Sequence, residues 1–138
     1  PPESASAMST AQPAAPTITR AATRAPIPRR LFVNIAVADL QRAIAFFEAL
    51  GFAFHRDFTD AGGTCMLVGE DAAVMLLTRE RFAAFSHRPL VDASEASEAL
   101  FTVAVESREA VDAMVRAAAA HGGAVAGVPE DHGFMYDW

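Results

Sequence analysis

The residues best suited to chemistry lie close together near the end of the sequence, in the segment EDHGFMYDW. His132 directly follows Asp131 and precedes Tyr136 by four residues. An imidazole oriented by a carboxylate can accept and donate a proton near neutral pH. His132 and Tyr136 are therefore the candidate catalytic residues. The alternative is that His132 is a turn residue beside Gly133 without a catalytic role.

The other titratable residues predict no second catalytic group. We expect His55 and His87 on the surface, and His121 at the carboxyl end of a helix, where it complements the helix dipole. Cys65 lies on a predicted strand with no base near it in sequence, which favours an inert, buried thiol. The sequence shows no Ser-His-Asp spacing, phosphate-binding loop or paired catalytic carboxylates.

Composition excludes several classes of function. All 11 basic residues are Arg, so no mechanism that depends on a lysine amine is possible. From Leu31 onward 7 Arg face 16 acids, a net charge of −9, which argues against nucleic acid as a partner. A single Cys excludes an intramolecular disulfide and fits a cytoplasmic setting. No apolar run is long enough to cross a membrane, so we expect no membrane partner.

The first 29 residues differ in composition from the rest. They are rich in Ala, Pro, Ser and Thr and show no apolar periodicity, which predicts a disordered arm over 1–29. Met8 stands where a native start could lie, so residues 1–7 are read as a possible remnant of an expression vector. The Arg residues of this arm also leave an organelle transit peptide open as an alternative.

Residues 30–138 are expected to form one domain made of two similar modules. In the first, over 30–79, alternating aliphatic residues predict a strand from Leu31, and Asp39 caps a helix over 40–50 that Gly51 ends. Three strands are predicted next, over 52–58, 64–68 and 73–78. A connector follows over 80–98, with a short helical turn over 81–85.

The second module, over 99–138, repeats this order. A strand is predicted over 100–105, a helix begins after Ser107 and stops at Gly122, and further strands are predicted over 124–128 and 134–138. A shift of 68 residues places Val37 on Val105 and Asp39 on Ser107. An internal repeat of a whole unit indicates the fold more strongly than any single element. A generic α+β sandwich is the alternative.

The segments LFVNIAVADLQRAIAFFEALGFAF, VMLLTRERF and GFMYDW resemble a bacterial branch of the vicinal-oxygen-chelate superfamily. This superfamily contains glyoxalase I, extradiol dioxygenases, fosfomycin-resistance enzymes and bleomycin-binding proteins, and the resemblance covers residues 30–138. It implies an α+β fold of two βαβββ modules whose mixed sheets curl into a cup that holds a ligand or metal. The last strand of the second module is expected to be missing, because the sequence stops before it.

The resemblance also implies where a metal would be held. Metal-binding members place a His or Gln on the first strand of each module and a Glu on the last. These positions fall on Phe32 and Leu100 for the first strands and near Met75 for the first module's Glu. None of the three side chains is a suitable ligand for a divalent ion, so we expect no metal site and no cofactor.

The predicted function is therefore the binding of a small, partly apolar molecule in the cup, without a conventional metal site. The predicted ligand-binding residues are Phe32, Asn34, Met75, Leu100, Thr102, His132 and Tyr136. One alternative is a metal-dependent lyase, isomerase or dioxygenase of the same superfamily, and another is a non-catalytic structural dimer module. We expect a homodimer, because relatives often build their cups with neighbouring chains and a missing last strand leaves an open edge.

Overall fold

The computed structural model describes residues 29–97 and 99–138, so the predicted arm lies outside the described residues except for Arg29. The elements in chain order are β1 (Leu31–Val37), α1 (Leu40–Ala49), β2 (Ala53–Asp60), β3 (Gly63–Leu67), β4 (Ala72–Thr78), α2 (Arg79–Phe85), α3 (Arg108–Ala120), β5 (Glu130–Asp131) and β6 (Tyr136–Asp137). The described residues contain no helix long and apolar enough to span a membrane.

The first module has the predicted β-α-β-β-β order. Its four strands form one mixed sheet in the order β1-β4-β3-β2, in which β1 runs parallel to β4 and the other neighbours are antiparallel. A parallel pair needs a crossover connection, and here α1, β2 and β3 together supply it. The two outer strands of this sheet are β1 and β2.

The predicted start of α1 at residue 40 is confirmed, and the helix ends at Ala49, one residue before the predicted end. The Asp39 side chain accepts a hydrogen bond from the backbone N–H of Arg42 at 3.0 Å, which satisfies one of the free donors of the first turn. Gly51 follows the last turn with φ +92°, and its N–H donates to the carbonyl of Glu48 at 2.9 Å. The N–H of Phe52 donates to Phe47 at 3.0 Å, which completes the left-handed helix end that glycine favours.

Replacing Gly51 by alanine will lower the free energy of unfolding by about 1 kcal/mol, because an L side chain is strained at positive φ. In the part of the chain that the structure describes, no atom lies within 4 Å of the added Cβ, so the cost comes from the backbone alone. The control is Gly69→Ala, which also meets open space and has no positive φ. Chemical denaturation should show no loss for that variant. Equal stabilities of the two variants would contradict the role of the positive φ at Gly51.

The core lies between α1 and the sheet face that α1 covers. Leu76 on β4 and Thr64 on β3 are paired across the ladder, and neither has any exposed surface. Leu40 on α1 is also buried. The Thr64 hydroxyl hydrogen-bonds the hydroxyl of Thr59 at 2.7 Å, so this buried polar group has a partner.

The second module is formed only in part. α3 begins where Ser107 accepts a hydrogen bond from the N–H of Ala110 at 3.1 Å, as predicted. The strands predicted over 100–105 and 124–128 are wrong, and of 134–138 only Tyr136–Asp137 is a strand, paired with β5. A strand needs a neighbour for its backbone hydrogen bonds, and no strand of the described residues pairs with 100–105.

The connector begins with a complete helix rather than the short turn predicted over 81–85. Thr78, the last residue of β4, caps α2 by accepting a hydrogen bond from the N–H of Arg81 at 3.2 Å. Strand and helix thus follow each other without a loop. This direct connection folds α2 back over the ends of β1 and β4, both of which it contacts.

Candidate functional site

The sheet has one face that α1 does not cover, and we call it the cup face. The strand register places one row of side chains across its middle, in which each residue is directly paired with the next. This row runs from β1 to β2 as Asn34, Met75, Cys65 and His55. Of the predicted ligand-binding residues, Asn34 and Met75 are therefore neighbours, and Phe32 lies on the same face two residues before Asn34.

A cavity of about 380 Å³ lies between α2 and the cup face. Its lining consists of Asn34, Leu77, Phe82, Phe85 and Ser86. The Ser86 hydroxyl already donates to the carbonyl of Arg88 at 2.7 Å, whereas the exposed Asn34 side chain offers an amide that can both donate and accept. Mostly apolar walls with one polar anchor are typical of small-molecule sites.

A smaller depression of about 100 Å³ lies on the cup face near the start of β1. All four strands contribute to its lining, which includes Phe32, Ala73, Cys65, Leu67, His55 and Phe58. Cys65 is buried, and this burial raises the pKa of its thiol, so the neutral form predominates. The prediction that the Cys65 thiol is buried is therefore confirmed.

His55 differs from its predicted surface position. The residue is half-buried, and its Nδ1 is buried without a hydrogen-bond partner among the described residues. Sequence reasoning missed this residue as a member of the site, because its pairing with Cys65 is a matter of strand register. By contrast, His87 is exposed as predicted, and Nδ1 of His121 lies 2.8 Å from the carbonyl oxygen of Ala117 at the end of α3.

The positions that hold a metal in relatives do not fit one here. Phe32 and Leu100 have no donor atom, and Met75 offers only a thioether, which is a poor ligand for the harder divalent ions. Among the described residues, no group of three or more His, Cys, Asp or Glu side chains is arranged to hold a metal ion. No step of a reaction is therefore assigned to a metal.

None of the residues predicted on the second module lines either of the two depressions. Leu100 is 92% exposed and Thr102 is exposed, and neither lines the two depressions described above. Both lie in the segment that forms no strand. The prediction that these side chains point into the cup required a paired strand, in which side chains alternate between two faces. This segment has no paired strand, so nothing enforces that alternation.

His132 and Tyr136 lie on a separate cluster formed by the β5–β6 hairpin and α3. Nε2 of His132 lies 2.8 Å from Oδ1 of Asp137 and 3.7 Å from Oε2 of Glu130, so the carboxylates nearest to it are not that of the adjacent Asp131. Asp131 instead forms a salt bridge with Arg108 on α3, and the Arg108 guanidinium holds the pKa of Asp131 below its usual value. Arg108 also lies over the Tyr136 ring, 5.1 Å from its centre.

Tyr136 is held against α3 by its own hydroxyl. This group donates a hydrogen bond to Oδ1 of Asp112 at 2.6 Å, and the bond raises the pKa of Tyr136 above its usual value of 10.0. The raised pKa extends the pH range over which the phenol stays protonated. The hydroxyl thus has a structural partner, and Tyr136 is not among the residues that line the two depressions.

Tyr136 is the only tyrosine of the chain, so absorbance of the tyrosinate reports on it alone. Its titration midpoint will lie above 10.0, and Asp112→Asn will move it down because the negative acceptor is removed. The control Glu48→Gln, an exposed acid on α1, will leave the midpoint unchanged. Because the folded-state pKa is raised, the stabilisation from this contact is present below pH 10.0 and is lost as the pH rises through the folded-state value. A midpoint that Asp112→Asn does not lower would contradict the contact.

Comparison with known proteins places this geometry in a family. The model of the Glyoxalase/Bleomycin resistance protein/Dioxygenase superfamily matches residues 29–135. Among solved structures, a hypothetical protein from S. aureus is 25% identical with a TM-score of 0.66, and the match covers 80% of this chain and 83% of that one. A glyoxalase/bleomycin resistance protein/dioxygenase family enzyme from Burkholderia phytofirmans PsJN is 19% identical with a TM-score of 0.58, covering 76% and 83%. No curated protein matches the chain.

Proposed function

The chain belongs to the Glyoxalase/Bleomycin resistance protein/Dioxygenase superfamily, and from this premise we propose that its cup face binds a small, partly apolar molecule without a metal ion. The predicted α+β glyoxalase-like fold is confirmed by the family match and by the similar solved structures.

One observation carries the proposal: the 380 Å³ cavity beside α2 has a single free polar anchor, Asn34, among apolar walls. Leu77 forms the floor of this cavity and is almost completely buried, whereas Phe85 is exposed at its rim. Burial of apolar ligand surface would supply most of the affinity, and the amide would fix orientation. A ligand bound in this way needs no ion to hold it.

The residue types at the positions where metal-binding relatives have their ligands support binding without a metal ion. Phe32 and Met75 enlarge the apolar surface at the place where relatives hold a charged ion. An ion placed there would lose hydration without gaining adequate ligands, which is strongly unfavourable. Formation of a homodimer and a cytoplasmic location stay predictions.

The experiment that tests the proposal is a ¹H–¹⁵N NMR titration of the full chain with 2-naphthol, a small aromatic probe with one hydroxyl group. We expect chemical-shift changes at Asn34, Met75, Leu77 and Phe82. No saturable change on the cup face would contradict the proposal. Changes confined to His132 and Tyr136 would contradict it too, and would place the site on the hairpin.

A further inference from the structure

The first turn of α2 is attached to the turn that joins β2 to β3. Nη1 of Arg81 on α2 lies 3.0 Å from Oδ2 of Asp60, the last residue of β2. The other oxygen of this carboxylate, Oδ1, accepts hydrogen bonds from the N–H groups of Gly62 and Gly63 at 2.8 and 3.1 Å. One carboxylate therefore fixes both the turn and the helix.

The Arg81 guanidinium also lies against the backbone of this turn. A Cβ added at Gly62 would overlap the guanidinium, so the close approach requires glycine. Gly62 is not one of the glycines with positive φ, so the requirement comes from the approach of Arg81 and not from the backbone angle. We call the contacts among Asp60, Gly62 and Arg81 the clasp.

Apart from the clasp, α2 packs only lightly on the sheet. Six of its seven residues are exposed, and Phe82 is half-buried. Phe82 and Phe85 nevertheless line the cavity of about 380 Å³ from the helix side, together with Ser86 directly after the helix. Lightly packed elements open locally at a small cost in free energy. Opening of α2 would remove one side of the cavity.

The clasp is weak enough to open and close. The Arg81 and Asp60 side chains are 41% and 58% exposed, so water screens their attraction. The N–H of Gly62 and the Arg81 guanidinium hold the pKa of Asp60 below its usual value, so the carboxylate is charged at neutral pH. An exposed ion pair of this kind changes an equilibrium by about threefold.

Resting on the proposed function, we propose that α2 is a movable wall of the cavity and that the clasp holds this wall closed over a bound ligand. Asp60, Gly62 and Arg81 lie outside the cavity lining, so they are positioning residues that act through α2. The clasp controls how fast a ligand leaves the cavity. The residues of the lining determine which ligand binds.

Amide hydrogen exchange of the full chain, followed by NMR, measures the opening of α2 without a ligand. A helix of seven residues is not stable on its own, so α2 loses its hydrogen bonds when it leaves the sheet. The N–H of Ser86, which donates to the carbonyl of Phe82 at 3.0 Å, reports this loss. Arg81→Gln will raise its exchange rate about threefold and leave the amides of α1 unchanged.

Gly62→Ala tests the same contact from the other element. The added Cβ displaces the guanidinium without removing a charge, so exchange at Ser86 should rise to a similar extent. In the double variant the two effects will not add, because each change removes the same contact. The controls are Gly69→Ala, whose Cβ meets open space among the described residues, and Arg79→Gln, an exposed arginine on the same helix. Both will leave exchange at Ser86 unchanged.

NMR line-shape analysis of a titration with 2-naphthol then measures the exit of a ligand. Arg81→Gln and Gly62→Ala will each raise the dissociation rate of 2-naphthol about threefold, because the wall opens more often. Gly69→Ala and Arg79→Gln will keep the rate of the wild-type chain. A general loss of stability would instead raise exchange in α1 as well.

The outcomes separate this inference from the proposed function. Unchanged exchange at Ser86 in folded Arg81→Gln, or full additivity in the double variant, would overturn the clasp and leave the proposed function standing. Raised exchange at Ser86 with an unchanged dissociation rate would overturn the control of the cavity by α2. No binding of 2-naphthol to the wild-type chain would overturn the proposed function and this inference together.

Discussion

Leu76→Ala will lower the free energy of unfolding by about 3 kcal/mol, because it removes a large side chain from the most enclosed part of the core. Leu76 has no exposed surface. It is paired with Ile35 on β1 and Thr64 on β3, and its strand contacts α1. The surrounding strands are fixed by backbone ladders, so they cannot close the resulting cavity fully.

The matched control is Leu100→Ala, since Leu100 is 92% exposed in a segment without a strand. We expect it to change the stability by less than about 0.5 kcal/mol. Urea denaturation followed by circular dichroism measures both variants. Equal losses at the two positions would mean that the second module packs far more closely than the structure shows.

Met75→Arg will weaken binding of 2-naphthol at least about tenfold, because it puts a charge into the apolar centre of the cup face. Met75 is half-buried on β4 and is paired with Asn34 on one side and Cys65 on the other. The longer Arg side chain also occupies space between the two depressions. Isothermal titration calorimetry measures the affinity, and a retained thermal transition shows that the variant is folded.

The control for this prediction is Met135→Arg, the same change at an exposed position on the β5–β6 hairpin. Its affinity for 2-naphthol should equal that of the wild-type chain. Wild-type affinity of folded Met75→Arg would show that the probe does not occupy the cup face.

Local signals in the sequence were enough to predict the first module. Asp39 and Gly51 act through hydrogen bonds and backbone angles that involve only their own neighbours in the chain. The strict alternation along β1 predicted which side chains share a face, and the register with β4 places Phe32, Asn34 and Met75 together as expected. These features depend on short-range geometry, which residue types specify well.

The features that were missed depend on how strands pair, which the residue pattern along a single strand does not specify. Residues 100–105 alternate like a strand, but alternation does not create the neighbouring strand that must pair with it. The contact of His132 with Asp137, rather than with Asp131, follows from the hairpin that pairs β5 with β6. The half-buried position of His55 depends on the pairing of β2 with β3, whose register shifts between His55 and Asp60. The DAGG turn gives a local signal for this shift, because Asp60 accepts hydrogen bonds from the N–H groups of Gly62 and Gly63 and fixes the end of the strand.

Calorimetric titration of the full chain with 2-naphthol, before and after exhaustive chelation and with metal content measured on the same samples, tests the central claim most directly. The account predicts the same affinity in both samples and only substoichiometric metal, because Asn34, Leu77 and Phe82 provide the contacts. Stoichiometric Ni, Zn, Fe or Mn in the untreated protein, together with loss of binding after its removal, would contradict the account.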